Sequence, residues 1–292
     1  MHRSYLYVPG NRADRLTKAL GLGADALIAD LEDAVAPDAK DAARSGVSAF
    51  LADRRGAPDG PEVLVRVNPA GQMPGLLEQD LRAVVPAGAR TIYLPKADLA
   101  SMQRVHDVLT SIESDLGLPG NSVAVVALVE SATGMLEVAE LARHHRVRNL
   151  AIGESDLTAD LGIELTDHEA VPPAIWSLRM HLVVASAAAG IDPPTGPVDT
   201  DFRDLDALGE STTALRRAGF AARSAIHPAQ VGVINEVFTP SAAEVGRAER
   251  LVELFDSSVA RGDGVCVDDH GRMVDEAVIR SARRVLSRRS GR

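Results

Sequence analysis

The feature that most constrains this chain is a regular alternation of short apolar runs with longer amphipathic stretches. The apolar runs are RSYLYVP (3–9), ALIADLE (26–32), EVLVRVN (62–68), RTIYLPK (90–96), SVAVVALVE (122–130), NLAIGES (149–155) and ARSAIH (222–227), with a weaker one expected near GPVDT (196–200). Between them lie helical patterns such as RADRLTKALGLG, ATGMLEVAELARHH and AIWSLRMHLVVASAAAG. Near-continuous apolar strands that alternate with helices belong to a parallel sheet covered on both faces. Eight such units fit a closed (β/α)8 TIM barrel, an α/β fold, better than an open sheet. No internal repeat or low-complexity tract interrupts the pattern.

The alternation stops after IHPAQVGVINEVFTPS. A helical stretch follows, then DGVCVDDHGRMVDEA with a turn expected at DDHG, then a final basic helix. This divides the chain into a barrel at 1–240 and an arm at 241–292. The arm is too small to fold by itself, so it is expected to pack on the barrel of its own or a neighbouring subunit.

Composition narrows the partners. A net charge of −10 argues against nucleic acid or an anionic membrane as the main partner, without excluding a local basic pocket. With 3% aromatic residues the core must be mostly aliphatic. The lone cysteine, Cys266, rules out an intramolecular disulfide and a cysteine-rich metal site, which suits a reducing compartment. The N-terminal apolar run is too short for a signal peptide and no long apolar span occurs, so a soluble, cytoplasmic protein is expected.

In a parallel barrel the reactive groups sit at the carboxyl ends of the strands. Those ends carry Gly10; Asp30, Glu32 and Asp33; Arg66 and Asn68; Lys96; Glu130; Glu154 and Asp156; and His227. Strand ends meet polar loops in any protein, which accounts for each of these taken alone. It accounts poorly for Arg66, set between Val65 and Val67 inside the strand pattern. A buried cation needs carboxylates or an anionic ligand, so the joint pattern favours a polar site at one mouth of the barrel.

Glu130 and Asp156 have no nearby histidine or cysteine ligand. Two oxygen donors on adjacent strands suit Mg2+, which takes its remaining ligands from water and substrate. The alternative is that they cap the helices that follow. In the first loop and helix, Arg12, Arg15 and Lys18 recur at steps of three beside a helix N-terminus. They are either a solvated basic face or a place for phosphates. Trp176 reads as packing, Cys266 as an incidental small hydrophobe, His144 and His145 as solvated, and DLDALGE as an exposed acidic helix start.

Taken together, RSYLYVPGNRADRLTKA, GADALIADLEDAVAPDAKDAAR, VLVRVNP, IYLPKAD, ALVESATGMLEVAELA, GESDLTADLG, AIHPAQVGVINEVFTPS and GRMVDEAV resemble, in order, the citrate lyase β-subunit-like branch of the HpcH/HpaI aldolase superfamily. That branch includes malyl-CoA and citramalyl-CoA lyases. The resemblance implies a TIM barrel that uses Mg2+ (or Mn2+) to cleave or form a carbon–carbon bond β to a CoA thioester. It assigns Glu130 and Asp156 as metal ligands and Arg66 to the oxygen of the keto acid or its enolate. Glu32 and Asp33 become an acidic pair that holds metal-bound waters. Arg12, Arg15 and Lys18, with Lys96, fall to the CoA moiety. Asp275 becomes an acid that the arm carries to a neighbouring subunit's site, which implies a homo-oligomer such as a trimer.

Three departures bear on substrate identity more than on reaction class. Ala222 and Arg223 stand where GK is usual, Ala277 replaces a proline of VDxP, and Thr195 stands in for an aspartate. Three rival readings remain: a thioesterase on the same fold, a keto-acid aldolase that needs no CoA, and a subunit that acts on a thioester borne by an acyl-carrier partner.

Overall fold

The computed structural model describes residues 1–56, 60–71, 73, 75–164 and 171–289. It divides into two compact units, His2–Asn235 and Glu236–Arg292, the latter with Met1.

The larger unit runs β1 (Ser4–Pro9), α1 (Ala13–Ala19), β2 (Ala26–Asp30), α2 (Lys40–Asp53), β3 (Glu62–Arg66), α3 (Leu76–Ala87), β4 (Thr91–Leu94), α4 (Leu99–Asp115) and β5 (Ala124–Val129). It continues with α5 (Ala132–Leu136), α6 (Val138–Arg143), β6 (Val147–Ile152), α7 (Glu154–Leu161), α8 (Pro173–Ala189), β7 (Asp192–Gly196), α9 (Leu205–Ala218), β8 (Ala222–Ala225) and α10 (Pro228–Phe238). All eight strands are parallel, and β1 pairs with both β2 and β8, so the sheet closes into a barrel. The division between the two units falls within α10.

The alternation of side chains along each strand fills the interior. Tyr5 and Tyr7 from β1, Ala26 and Ile28 from β2, Leu64 from β3, Tyr93 from β4, Val126 and Leu128 from β5, Ala151 from β6 and Ala222 from β8 form one inward cluster. Continuing the period of two past Ile28 and Leu64 brings Asp30 and Arg66 to the same inner wall. Register then aligns them: Asp30 pairs with Arg66 across β2 and β3, and Arg66 with Tyr93 across β3 and β4. The carboxylates at the end of ALIADLE are therefore the top of the barrel's own interior rather than a solvent-facing loop.

Two expectations are corrected. The seventh strand is Asp192–Gly196, upstream of the expected 196–200. Its sequence, DPPTG, lacks the apolar run that marks the others, and Pro193 and Pro194 have no N–H to give the ladder. Pairing to β6 is correspondingly irregular, at Asn149 with Asp192 and Ala151 with Thr195. The single helical pattern ATGMLEVAELARHH breaks at Glu137 into α5 and α6; the Glu137 carboxylate accepts from the Leu99 amide at 2.7 Å.

In the smaller unit, α11 (Ala242–Ala260) is followed by a two-stranded hairpin, β9 (Cys266–Val267) and β10 (Met273–Val274), and by α12 (Glu276–Arg289). Ser241 and Glu244 form a capping box that starts α11. Phe255, Val274 and Ile279 make a small core against which Leu251, Val252 and Cys266 pack. Asp268 accepts from the amides of His270 and Arg272 to close the expected turn. Asp275 caps α12, accepting from the amides of Ala277 and Val278 at 3.0 Å. Among the described residues no helix is long and apolar enough to cross a membrane.

Candidate active site

At the carboxyl ends of the barrel strands lies a cavity of about 420 Å³. Its charged lining is Asp30, Asp33, Arg66, Glu130, Glu154 and Asp156; Tyr7, Tyr93, Leu128, Ile152, Val198, Ser224 and Ile226 supply much of the remainder.

Arg66 is the centre of the site. Its Nε and Nη2 donate to the two oxygens of Asp30, both at 2.7 Å. Nη1 lies 2.7 Å from Glu32 and 3.6 Å from Asp33, and the guanidinium sits 4.9 Å above the Tyr7 ring. Burial alone would lower the Arg66 pKa; the Asp30 hydrogen bonds and the surrounding carboxylates more than offset this and raise it. The loop after β2 is built to hold this group. Asp30 accepts from the amides of Glu32 and Ala34 at 2.9 and 3.2 Å, while Lys40 at the head of α2 donates to the carbonyls of Leu31 and Glu32. Asn68, two residues beyond Arg66, is anchored by Asp80 of α3 through its amide and its side chain.

Glu32 is 2% exposed, and neither of its carboxylate oxygens has a hydrogen-bond partner among the described residues. Nη1 of Arg66 is close enough for an ion pair but is not aligned to donate. Burial pushes the Glu32 carboxyl up to about 8, against the pull of Arg66, with Asp33 and Glu130 adding to the rise.

Glu130 follows β5 directly. Its Oε1 accepts from the Lys96 amide at 2.8 Å, and Lys96 adopts a left-handed backbone (φ 47°) to present that amide. A lysine at positive φ is uncommon, and such strain gathers at functional sites. On the other side Gly153 leaves room for Glu130: a Cβ there would meet the Glu130 Cβ at 2.7 Å. Burial first, and the neighbouring Asp156 second among the raising effects, push Glu130 up to about 7 despite the Lys96 amide. Asp156 lies in the first turn of α7 rather than at the strand end. The helix-capping alternative is not what the structure holds: Ser131 caps α5, and Gly153 precedes α7 with no side-chain cap. Glu154 is fixed by Arg179 of α8 through bonds of 2.5 and 2.8 Å, and Arg179 in turn lies 4.5 Å over Trp176.

The donors gathered here are oxygens only, and two of the buried carboxylates are pushed towards the protonated form by their surroundings. An orphaned buried carboxylate beside Glu130 and Asp156 fits a hard divalent cation of the Mg2+ kind that keeps its waters. The residues present therefore fit such an ion.

Other expected residues fall elsewhere. Arg12, Arg15 and Lys18 are exposed and line no part of the cavity; Arg12 pairs with Asp14 at 3.0 Å. Lys96 reaches the site through its backbone. Arg223 points outward from β8, donating to Pro197, Leu208, Ser211, Thr212 and Asp199. It is a strut beneath α9, and Ser224 is the β8 residue that faces the cavity. Thr195 is buried and accepts from Asn149 at 2.9 Å. Tyr7, Tyr93 and Ser224 were not singled out from the sequence, although the period of two along β1, β4 and β8 places them on the inner wall.

His144 is half-buried rather than solvated, and with His106 and His145 it brings possible ligand atoms within 4.8 Å of one another. The rings of His144 and His145 stack at 4.4 Å with planes 24° apart. Nδ1 of His106 and of His144 accept from Arg146, so the opposite nitrogens carry the protons in neutral rings. This is a packing cluster about Arg146.

Comparison with known proteins places this site in context. The chain is 35% identical over 291 residues to a (3S)-malyl-CoA thioesterase of Cereibacter sphaeroides, covering 98% of this chain and 94% of that protein. It is 30% identical over 288 residues to the citrate lyase subunit beta of Leuconostoc mesenteroides subsp. cremoris, covering 98% and 92%. The crystal structure of CitE from Mycobacterium tuberculosis in complex with magnesium, acetoacetate and coenzyme A superposes with a TM-score of 0.77 at 28% identity, covering 98% of this chain and 97% of that one. The model of the HpcH/HpaI aldolase/citrate lyase family matches residues 3–228, the whole span that builds the barrel and the cavity, and the chain belongs to that family.

Proposed function

We propose that this protein is a Mg2+-dependent carbon–carbon lyase that cleaves or forms a 3-hydroxyacyl-CoA of the malyl-CoA or citramalyl-CoA kind, giving a 2-oxo acid and a short acyl-CoA. The observation that carries the reading is Arg66, buried at the head of the barrel beside more carboxylate than it can neutralise. Glu130 and Asp156 would hold the ion, and Glu32 and Asp33 its waters. When bound, the ion supplies Lewis acidity and a template for the carboxylate and hydroxyl of the substrate. Arg66 stabilises the negative charge that grows on the substrate oxygen as a base takes the hydroxyl proton. The bond between the hydroxyl-bearing carbon and its neighbour then breaks, and the electron pair passes into the thioester enolate. Asp275, delivered by the arm of a neighbouring subunit, gives the enolate carbon its proton and removes it in the reverse direction. The CoA phosphates are met by Arg12, Arg15, Lys18 and Lys96. In this reading the active unit is a homo-oligomer, such as a trimer, in the cytoplasm.

A second reading, thioester hydrolysis, is supported by the identity to proteins named (3S)-malyl-CoA thioesterases. Product analysis separates the two. Malyl-CoA incubated with the protein and Mg2+ should give glyoxylate and acetyl-CoA; free CoA and malate would instead establish the thioesterase. Asp275→Asn should abolish most turnover and spare oxo-acid binding, and full retained activity would remove Asp275 from the mechanism.

A further inference from the structure

A second cavity, of about 320 Å³, opens at the amino ends of β3 and β4, the barrel end opposite to Arg66. Its volume falls within the range of small-molecule sites, about 300–1,000 Å³. Three guanidinium groups line it: Arg54 and Arg55, which follow α2, and Arg90, which immediately precedes β4. Among the described residues each of the three donates to backbone carbonyls and none to a carboxylate. Arg54 Nη2 reaches the Pro61 carbonyl at 3.4 Å, Arg55 Nη2 donates to that of Pro86, and Arg90 Nη1 donates to those of Ala89 and Val85 at 2.9 and 3.5 Å. Glu62, the carboxylate in the lining, is already matched by Arg148, with Thr91 and His2 completing its contacts.

Contact with carbonyls at helix ends is an ordinary duty for arginine, and it accounts for each of these side chains taken singly. It does not account for the surplus. A guanidinium carries five N–H donors in a planar fork, and the carbonyl contacts engage one terminal nitrogen of each. The remaining donors border one concavity, with three positive charges that no described side chain offsets, in a chain whose net charge is −10. Like charges gathered in this way repel unless an anion joins them, and the guanidinium fork matches phosphate oxygens two at a time. We propose that this cavity is a second binding site, remote from the acidic one, which takes a phosphate group, free or borne by a small molecule, between Arg54, Arg55 and Arg90. The site stands whether or not the lyase reading does.

The test is calorimetric titration of the full-length protein with inorganic phosphate and with phenyl phosphate, at an ionic strength held constant with sodium chloride. Wild type is compared with Arg55→Gln/Arg90→Gln and with Arg12→Ala, a control on the first loop. Both residues replaced in the double variant are exposed, whereas Arg54, which also lies 5.9 Å over the Phe50 ring, is left in place. Thermal melting checks folding, and Arg55→Gln alone substitutes for the double variant if that fails to fold. Wild type and Arg12→Ala should bind phosphate saturably, and the double variant roughly tenfold or more weakly. Two results support the site and name its ligand: phenyl phosphate bound tighter than phosphate points to an organic ester resting on Leu51 and Val63, and the reverse order to the free ion. Absence of saturable binding to the wild type, undiminished affinity in the double variant, or a loss confined to Arg12→Ala overturns the proposal.

Discussion

Two buried arginine–carboxylate groups in this barrel look alike and behave oppositely. Arg146 meets Glu113 at 2.8 Å through both terminal nitrogens, and the remaining capacity of Glu113 is filled by the amides of Asn121 and Val123. Burial opposes ionisation there, yet these bonds hold Glu113 down at about 2. Arg66 instead faces Asp30, Glu32 and Asp33 together, and Glu32 is left without a hydrogen bond and pushed up to about 8. One group is complete in itself, one positive charge against one negative. The other sets three carboxylates around one guanidinium, a surplus that a proton on Glu32 or a further cation offsets. A buried charge fully matched by the protein serves the fold, whereas a mismatched one points to a ligand.

The comparison breaks most readily at Glu113. Glu113→Ala leaves Arg146 buried and unpaired, and should cost about 3–5 kcal/mol of stability with turnover per folded molecule unchanged; chemical denaturation alongside a specific-activity assay checks this. Arg66→Lys should do the reverse. It keeps the charge and loses the two-pronged contact with Asp30, so turnover should fall about 10²–10³-fold while the melting temperature moves little. Equal stability losses in the two variants would erase the distinction. Mg2+ at about one hundred times its dissociation constant should stabilise the wild type by roughly 2.7 kcal/mol. In Glu130→Gln that gain should largely vanish, which differential scanning calorimetry would show. Gly153→Ala should be milder, costing about 1–3 kcal/mol by crowding Glu130, and it should weaken Mg2+ affinity in titration.

Acid offers the gentlest probe. The folded-state pKa of Glu113 lies below its unfolded value of about 4.3, so its contribution to stability is fully present above that value. It should be lost as pH falls from there towards about 2. Glu113→Gln should flatten that part of the stability–pH curve.

Much of this was legible in the sequence because both signals are periodic. Arg66 betrayed itself by standing at an inward position between Val65 and Val67, and Glu130 by ending the longest apolar run. Tyr93 and Ser224 obey the same period, but a tyrosine or serine in a strand is ordinary, and only the cavity distinguishes them. Arg223 misleads for the same reason: its charge draws the eye to the site, while its parity, opposite to Ala222 and Ser224, turns it outward. DPPTG has no apolar run to read, so β7 lies upstream of where the apolar pattern points. Asp275 lies in the other unit, and no local pattern in either segment says what it meets.

Those prolines have a consequence for motion. Pro193 and Pro194 cannot donate, so the ladder from β6 through β7 to β8 rests on few hydrogen bonds. Local opening follows sparse bonding, and amide exchange should be fastest along this seam. The seam adjoins the strands that present Ile152 and Ser224 to the cavity and leaves the Asp30–Arg66–Tyr93 wall untouched. Opening of that seam should widen the pocket on the side of Ile152 and Ser224.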